Sequence, residues 1–306
     1  MIHLLLSILF STGLFVIFKY FGIFKVDVLK AIFVNYIVAF TMGFTLAESN
    51  FSITEVPNQP WFLGAVFLGA LFVSIFFVMA MTAQRNGVSV TSVAGKMSVV
   101  IPVFFGIFLY NESVTVLKFV GIIIALVAVY LASVKEEKSE NKKAGLLFPI
   151  LLFLGSGVID TTLKYVEVMY VPENDVSIFS GSLFGIAAFF GLIILLIKSI
   201  KKREPFGVKN IIAGIVLGIP NYFSIVFLIK ALQTKGFESS TLFTINNVGI
   251  VVVSTIVGIL LFKEQFSTKN KIGVAIAGGV TALGTIIGVI ILYLLELYLF
   301  QKKFDI

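Results

Sequence analysis

KEQFSTKNKIG at 263–273 repeats an earlier stretch of the same chain, NESVTVLKFVG at 111–121. Glu112 aligns with Glu264, Thr115 with Ser267 and Gly121 with Gly273, all 152 residues apart, and Gly106 and Gly258 keep that offset one helix earlier. Nearer the N-terminus, AQRNG ending at Gly87 matches LQTKG ending at Gly236, three residues out of step, which a loop insertion explains. Ser11, Lys19 and Tyr20 match Ser156, Lys164 and Tyr165 at an offset of 145. The chain is therefore a sequence duplication.

What is duplicated follows from composition. The 306 residues are 58% hydrophobic and 13% charged, with a mean hydropathy of +1.08. A soluble domain carries about 25% charged residues, so this reads as an integral membrane protein. About 20 apolar residues cross a bilayer as a helix, and ten stretches qualify. They are 2–20, 28–46, 61–83, 88–110, 116–133, 145–168, 176–197, 211–232, 239–262 and 272–295. The first is read as a retained span, since it lacks a basic flank and a small-residue cleavage site and has a counterpart in mid-chain. The expected fold is all-α, ten transmembrane helices as two five-helix repeats. The first repeat is 1–134, a charged loop is 135–144, the second repeat is 145–298 and a polar tail is 299–306. Five is odd, so the halves enter the membrane in opposite senses, as in secondary transporters.

Several chemistries are excluded or disfavoured. Cysteine is absent and His3 is the only histidine. That removes thiolate metal sites, a cysteine nucleophile and the usual general base. No Gly-rich phosphate loop appears. No cofactor or metal is expected, nor an enzyme, and the net charge of +7 reads as membrane orientation, not a nucleic-acid partner. The expected partners are a small-molecule substrate and the lipid bilayer of a cell membrane, with proton or sodium coupling, in a monomer or homodimer.

The pattern of Pro102 within a span, NE at 111–112 and a following Gly121 resembles the EamA-type family of the drug/metabolite transporter superfamily. FKE at 262–264 with Gly273 repeats it. STGLFVIFK (11–19) and SGVIDTTLK (156–164) resemble the family's first-helix stretch, although its Trp-Gly is missing from the first copy. The resemblance covers nearly the whole chain. It implies a ten-helix carrier of small organic metabolites, working by alternating access around a central cavity, with both termini cytoplasmic. The charge count implies the reverse. The odd loops carry 16 Lys/Arg and the even loops with the tail carry 6, which puts the odd loops in the cytoplasm.

Polar residues at membrane depth are the candidate site. At about 1.5 Å per residue, Lys96 lies about 12 Å from the odd-loop side. Asn35 and Tyr36 lie about 10 Å in, Asn221 and Tyr222 about 15–18 Å, and Asp160, Asn246 and Asn247 about 20 Å. Ser11 and Thr12 add to the set from the first span. Lipid-facing polar groups are costly, so convergence on an interior cavity is expected, although each Asn also suits a plain interhelical hydrogen bond. Asp160 is read as the one carboxylate well inside the hydrocarbon and the coupling-ion candidate; Lys164, four residues on, is its alternative structural partner. Lys164 and Lys230 are expected to snorkel, and Glu112 and Glu264 to cap helices. Pro102 and Pro220 release the carbonyls of Ser98 and Val216, either toward substrate or as plain kinks. Small residues Gly121, Ala125, Ala128 and Ala132, with Gly273, Ala277, Gly284 and Gly288, are expected to pack the fifth and tenth spans together. Lys96 has Val248 as its repeat counterpart, so it is not a symmetric prop. Its readings are an anionic or carboxylate-bearing substrate, an ion pair with Asp160, or snorkelling. The functional expectation is a secondary transporter of a small polar metabolite; the alternative is a translocator of a lipid-linked or amphipathic substrate.

Overall fold

A computed structural model describes residues 2–47, 53–85, 88–98, 147–201, 205–234 and 239–262, with isolated positions at 101, 102, 105, 120, 123, 124, 127 and 272. The expected fifth and tenth spans, their small-residue stripes, Glu112, Glu264 and the central charged loop lie essentially outside these residues. The described residues form eight α-helices: α1 (Ile2–Ile23), α2 (Val28–Thr45), α3 (Phe62–Arg85), α4 (Val88–Met97), α5 (Leu147–Tyr170), α6 (Val176–Lys201), α7 (Val208–Leu232) and α8 (Ser239–Phe262), with short 3-10 turns at Ile53–Asn58 and Glu173–Asp175. Seven are long and apolar enough to cross a membrane. The protein is an all-α, multi-pass membrane protein. Hydrocarbon offers the backbone no water, so helices must satisfy their own N–H and C=O groups. Their outward stripes are exposed Leu and Ile, such as Leu63, Ile150, Ile212 and Leu260.

The contacts between helices repeat when α1–α4 are exchanged for α5–α8. α2 packs on α7 as α6 packs on α3; α1 packs on α7 as α5 packs on α3; α1 packs on α8 as α5 packs on α4. Two further contacts, α2 with α6 and α4 with α8, map onto themselves. Individual glycines repeat too. A Cβ on Gly218 would meet Val38 of α2 at 2.8 Å, and one on Gly69, 149 residues earlier, would meet Ile186 of α6. Helix α2 and α6 approach most closely at Gly43 and Gly181, where a Cβ on Gly181 would lie 2.9 Å from the Gly43 Cα. Only glycines allow that approach.

The same contacts give each helix its sense. α1 and α7 are antiparallel, because His3 stacks on Phe227 and Phe10 on Phe223. α1 and α8 are parallel, with Ile8 at Gly249 and Tyr20 on Phe262. α3 and α5 are antiparallel, with Gly64 at Val166, Ile75 at Gly155 and Arg85 over Phe148. α4 and α5 are parallel, with Gly95 at Leu152 and Ser156, and Gly157 at Ile101. α2 is parallel to α7, with Val34 at Gly214 and Val38 at Gly218, and antiparallel to α6, with Phe40 at Gly185 and Gly43 at Gly181; α3 runs parallel to α6, with Trp61 on Phe179 and Gly69 at Ile186. By these contacts α1–α4 and α5–α8 alternate with opposite phase.

The two ends of the bundle are closed by different chemistry. At the end holding the α1–α2 turn, Asp27 caps α2, accepting from the N–H groups of Leu29 and Lys30 at 3.1 and 3.3 Å. Its own N–H donates to Asn210 Oδ1 at 2.9 Å, and its carboxylate pairs with Lys198 at 3.3 Å and Lys30 at 3.5 Å. Lys30 also donates to the Pro205 carbonyl and Lys209 to that of Phe24, both at 3.0 Å. Gly207 at φ 71° makes the turn into α7, a backbone region that side chains disfavour. At the other end Trp61, 1% exposed, meets Phe179 edge-on at 5.4 Å, with Val56, Val171 and Val176 buried beside it.

Candidate functional site

The polar residues expected at membrane depth fall into three groups. In the first, Asn221 of α7 donates to Asn35 Oδ1 of α2 at 3.0 Å, and Asn35 donates in turn to the Ile32 carbonyl at 3.4 Å. Both are essentially fully buried. This bond ties two parallel helices from opposite halves. Tyr36, next to Asn35, is fully buried with its hydroxyl unpartnered. Its ring sits among Phe76 at 5.7 Å and Phe184 at 6.0 Å, and Phe18 and Phe72 extend the aromatic wall. Tyr222 is buried with Ser177 as hydrogen-bonding neighbour.

The second group is Lys96 with Asp160. Both are partly buried. Among the described residues each is the other's charge partner, and no ion pair at contact distance joins them. Among the described residues no ion pair joins Asp160 to Lys164, the structural alternative to a coupling-ion role. Lys164 lies 3.8 Å from Glu167 instead, three residues on, and it is buried where snorkelling was expected. Glu167 is a residue the sequence reading passed over. It lies near the end of a span and is 6% exposed. Asp160 is therefore not the only carboxylate inside the bundle.

The third group is Asn246 and Asn247 on α8, both buried, with Asn246 Oδ1 and Asn247 Nδ2 unpartnered among the described residues. They lie beyond Gly249, which meets Ile8, and so about 25 Å from the Asp27 end by helix rise. That is deeper than the sequence count placed them. Thr12 Oγ1 on α1 is also buried and unpartnered.

The prolines behave differently from one another. α4 ends at Met97, and Ile101 donates to the Ser98 carbonyl at 2.9 Å. The carbonyl that Pro102 cannot serve therefore already accepts one hydrogen bond, from the neighbouring N–H in a tighter turn. α7 continues through Pro220. Val216 and Ile219 beside the break are 50% and 42% exposed, so it lies along the outward stripe, while Asn221 is turned inward.

No family model matches the chain. An uncharacterized protein of Haemophilus influenzae (strain ATCC 51907 / DSM 11121 / KW20 / Rd) is 28% identical over 281 residues, covering 89% of this chain and 93% of that protein. A protein of known crystal structure superposes with a TM-score of 0.62 at 14% identity, over 93% of this chain and 98% of the other. At that identity the likeness is one of fold, and it extends nearly end to end.

Proposed function

We propose that the chain is a secondary active transporter of EamA type, built as two inverted five-helix repeats, that carries a small polar organic metabolite by alternating access. The observation that carries this reading is the opposite phase of α1–α4 and α5–α8 with their exchanged contacts. Two units that are inverted copies have two equivalent ways to pack, each opening one face of the membrane. α4 and α5 running in the same sense agrees with the sequence reading of an apolar stretch at 116–133 between them, and the matching stretch at 272–295 supports a second unit of the same length.

The substrate path in this reading passes Lys96 and Asp160. Lys96 and Asp160 are opposite charges that are not consumed in a contact ion pair with each other, and in this reading a carboxylate-bearing substrate pairs with Lys96. Asn246 and Asn247, with a free acceptor and a free donor, supply hydrogen bonds deeper in. Asn35 and Asn221 are occupied by each other, so they shape the path more than they line it. The test has two steps. Purified protein is screened for thermal stabilisation by amino acids, sugars, nucleobases and organic acids; a ligand at a hundredfold excess over its Kd adds about 2.7 kcal/mol. The stabilising ligand is then loaded into proteoliposomes. Counterflow of labelled ligand supports the carrier reading, and a ligand that binds tightly yet never crosses refutes it.

A further inference from the structure

Lys164, Glu167 and Gln233 form a polar cluster at the end of the bundle away from Asp27. The repeat offsets relate Lys164 to Lys19 and Gln233 to Gln84, and the position of Glu167 corresponds to Gly22. The first half shows the same juxtaposition: a Cβ on Gly22 would lie 3.2 Å from Gln84 Cγ. One half thus folds around this glutamine with a glycine, so the carboxylate is an addition, not a requirement of the packing.

Counting donors shows what the cluster lacks. Glu167 Oε2 is buried and accepts no hydrogen bond. Lys164 Nζ faces the carboxyl group too, but at 3.8 Å from Oε2 it is near enough for charge attraction and longer than a formed hydrogen bond. Gln233 also faces the carboxyl group, yet its own Oε1 has no donor among the described residues. Two buried acceptors in one cluster therefore share a shortage of one hydrogen, and leaving such groups unpaired is costly. A single proton on Glu167 Oε2 remedies both. A carboxylic acid and a primary amide form a two-bond ring, in which the amide N–H donates to one carboxyl oxygen and the acid O–H donates to the amide oxygen.

We propose that Glu167 is a proton-binding site with two states: ionised and attracted to Lys164, or protonated and ring-paired with Gln233. The proton adds to Oε2 from water at that end of the bundle, and only the Lys164 attraction is given up. Among the described residues the titratable neighbours are Tyr165 and Tyr170 on α5, Lys230 on α7 just before Gln233, and His3 on α1, which faces Lys230. α3 and α4, which pack on α5, contribute Arg85 and Lys96, and Arg85 lies at the opposite end. The use of such a proton in coupling rests on the carrier reading; its binding does not.

The experiment is infrared difference spectroscopy of the full-length protein in nanodiscs across a pH step of about 8 to 5, without any substrate. A carboxylic-acid carbonyl band is expected that persists in Asp160→Asn and is lost in Glu167→Gln. Gln233→Leu, which keeps the carboxyl group, is expected to shift that band by removing the ring partner. A spectrum unchanged by Glu167→Gln overturns the site, and so does a Glu167 band that Gln233→Leu leaves in place. Because no substrate is present, failure to find a transported molecule leaves this result standing.

Discussion

A lysine in an apolar stretch is expensive, and the cost falls unless a partner of opposite charge or water is near. Among the described residues Lys96 has Asp160 as its charge partner, the residue that the sequence offered as its ion-pair reading, but no contact-distance ion pair joins them. In the carrier reading Lys96→Met weakens substrate affinity at least tenfold, about 1.4 kcal/mol, at unchanged membrane expression. Lys96→Arg recovers part, since charge survives while shape changes. Ligand titration of purified protein checks this, and unchanged affinity in Lys96→Met removes Lys96 from the site. The Asn35–Asn221 bond makes a separate, structural claim. Asn221→Leu strands a buried acceptor and should cost about 1–3 kcal/mol. Asn35→Leu/Asn221→Leu should cost less than the sum of the two single changes, because neither partner is left unpaired. Unfolding in detergent measures both.

At the scale of elements, helix ends were legible and helix partners were not. The hydrocarbon fixes span lengths, so the expected 28–46 and 239–262 stand against Val28–Thr45 and Ser239–Phe262. Pairing depends on register between segments far apart in sequence, which a periodicity cannot report: Asn35 and Asn221 are 186 residues apart. The Asp27 latch was invisible for the same reason, because its distant partners Lys198 and Asn210 come from the last turns of α6 and the first turn of α7. Burial pushes the Asp27 carboxyl up, but the Lys30 N–H, Lys198 and the Lys30 charge outweigh it, and the net shift is below the usual 3.8. A depressed folded-state value means the latch contributes fully above that ordinary value and loses its contribution as pH falls through the folded one. Asp27→Asn keeps a capping side chain and removes only the charge. It should lower the melting temperature at neutral pH, with the gap to the unsubstituted protein closing well below pH 3.8. Asp27→Ala should lose about 1 kcal/mol more, the usual value of a cap. A gap that persists unchanged into strong acid would show that the charge does not matter.

For the whole molecule, the duplication was legible because glycines and loop motifs recur at nearly constant offsets, and the exchanged contacts of α1–α4 and α5–α8 give it a physical meaning. The central claim is that these two units rock to expose one interior path to each face in turn. Gly95 offers the direct probe. A Cβ there meets nothing closer than Ser156 Oγ at 3.8 Å, it adjoins Lys96, and the chain has no other cysteine to react. Gly95→Cys is placed in vesicles of defined orientation and treated with a membrane-impermeant thiol reagent from one face or the other. The account predicts labelling from either face, with one falling as the other rises when a stabilising ligand or an ion gradient is applied. Labelling from neither face, or from the same single face under every condition, would contradict it.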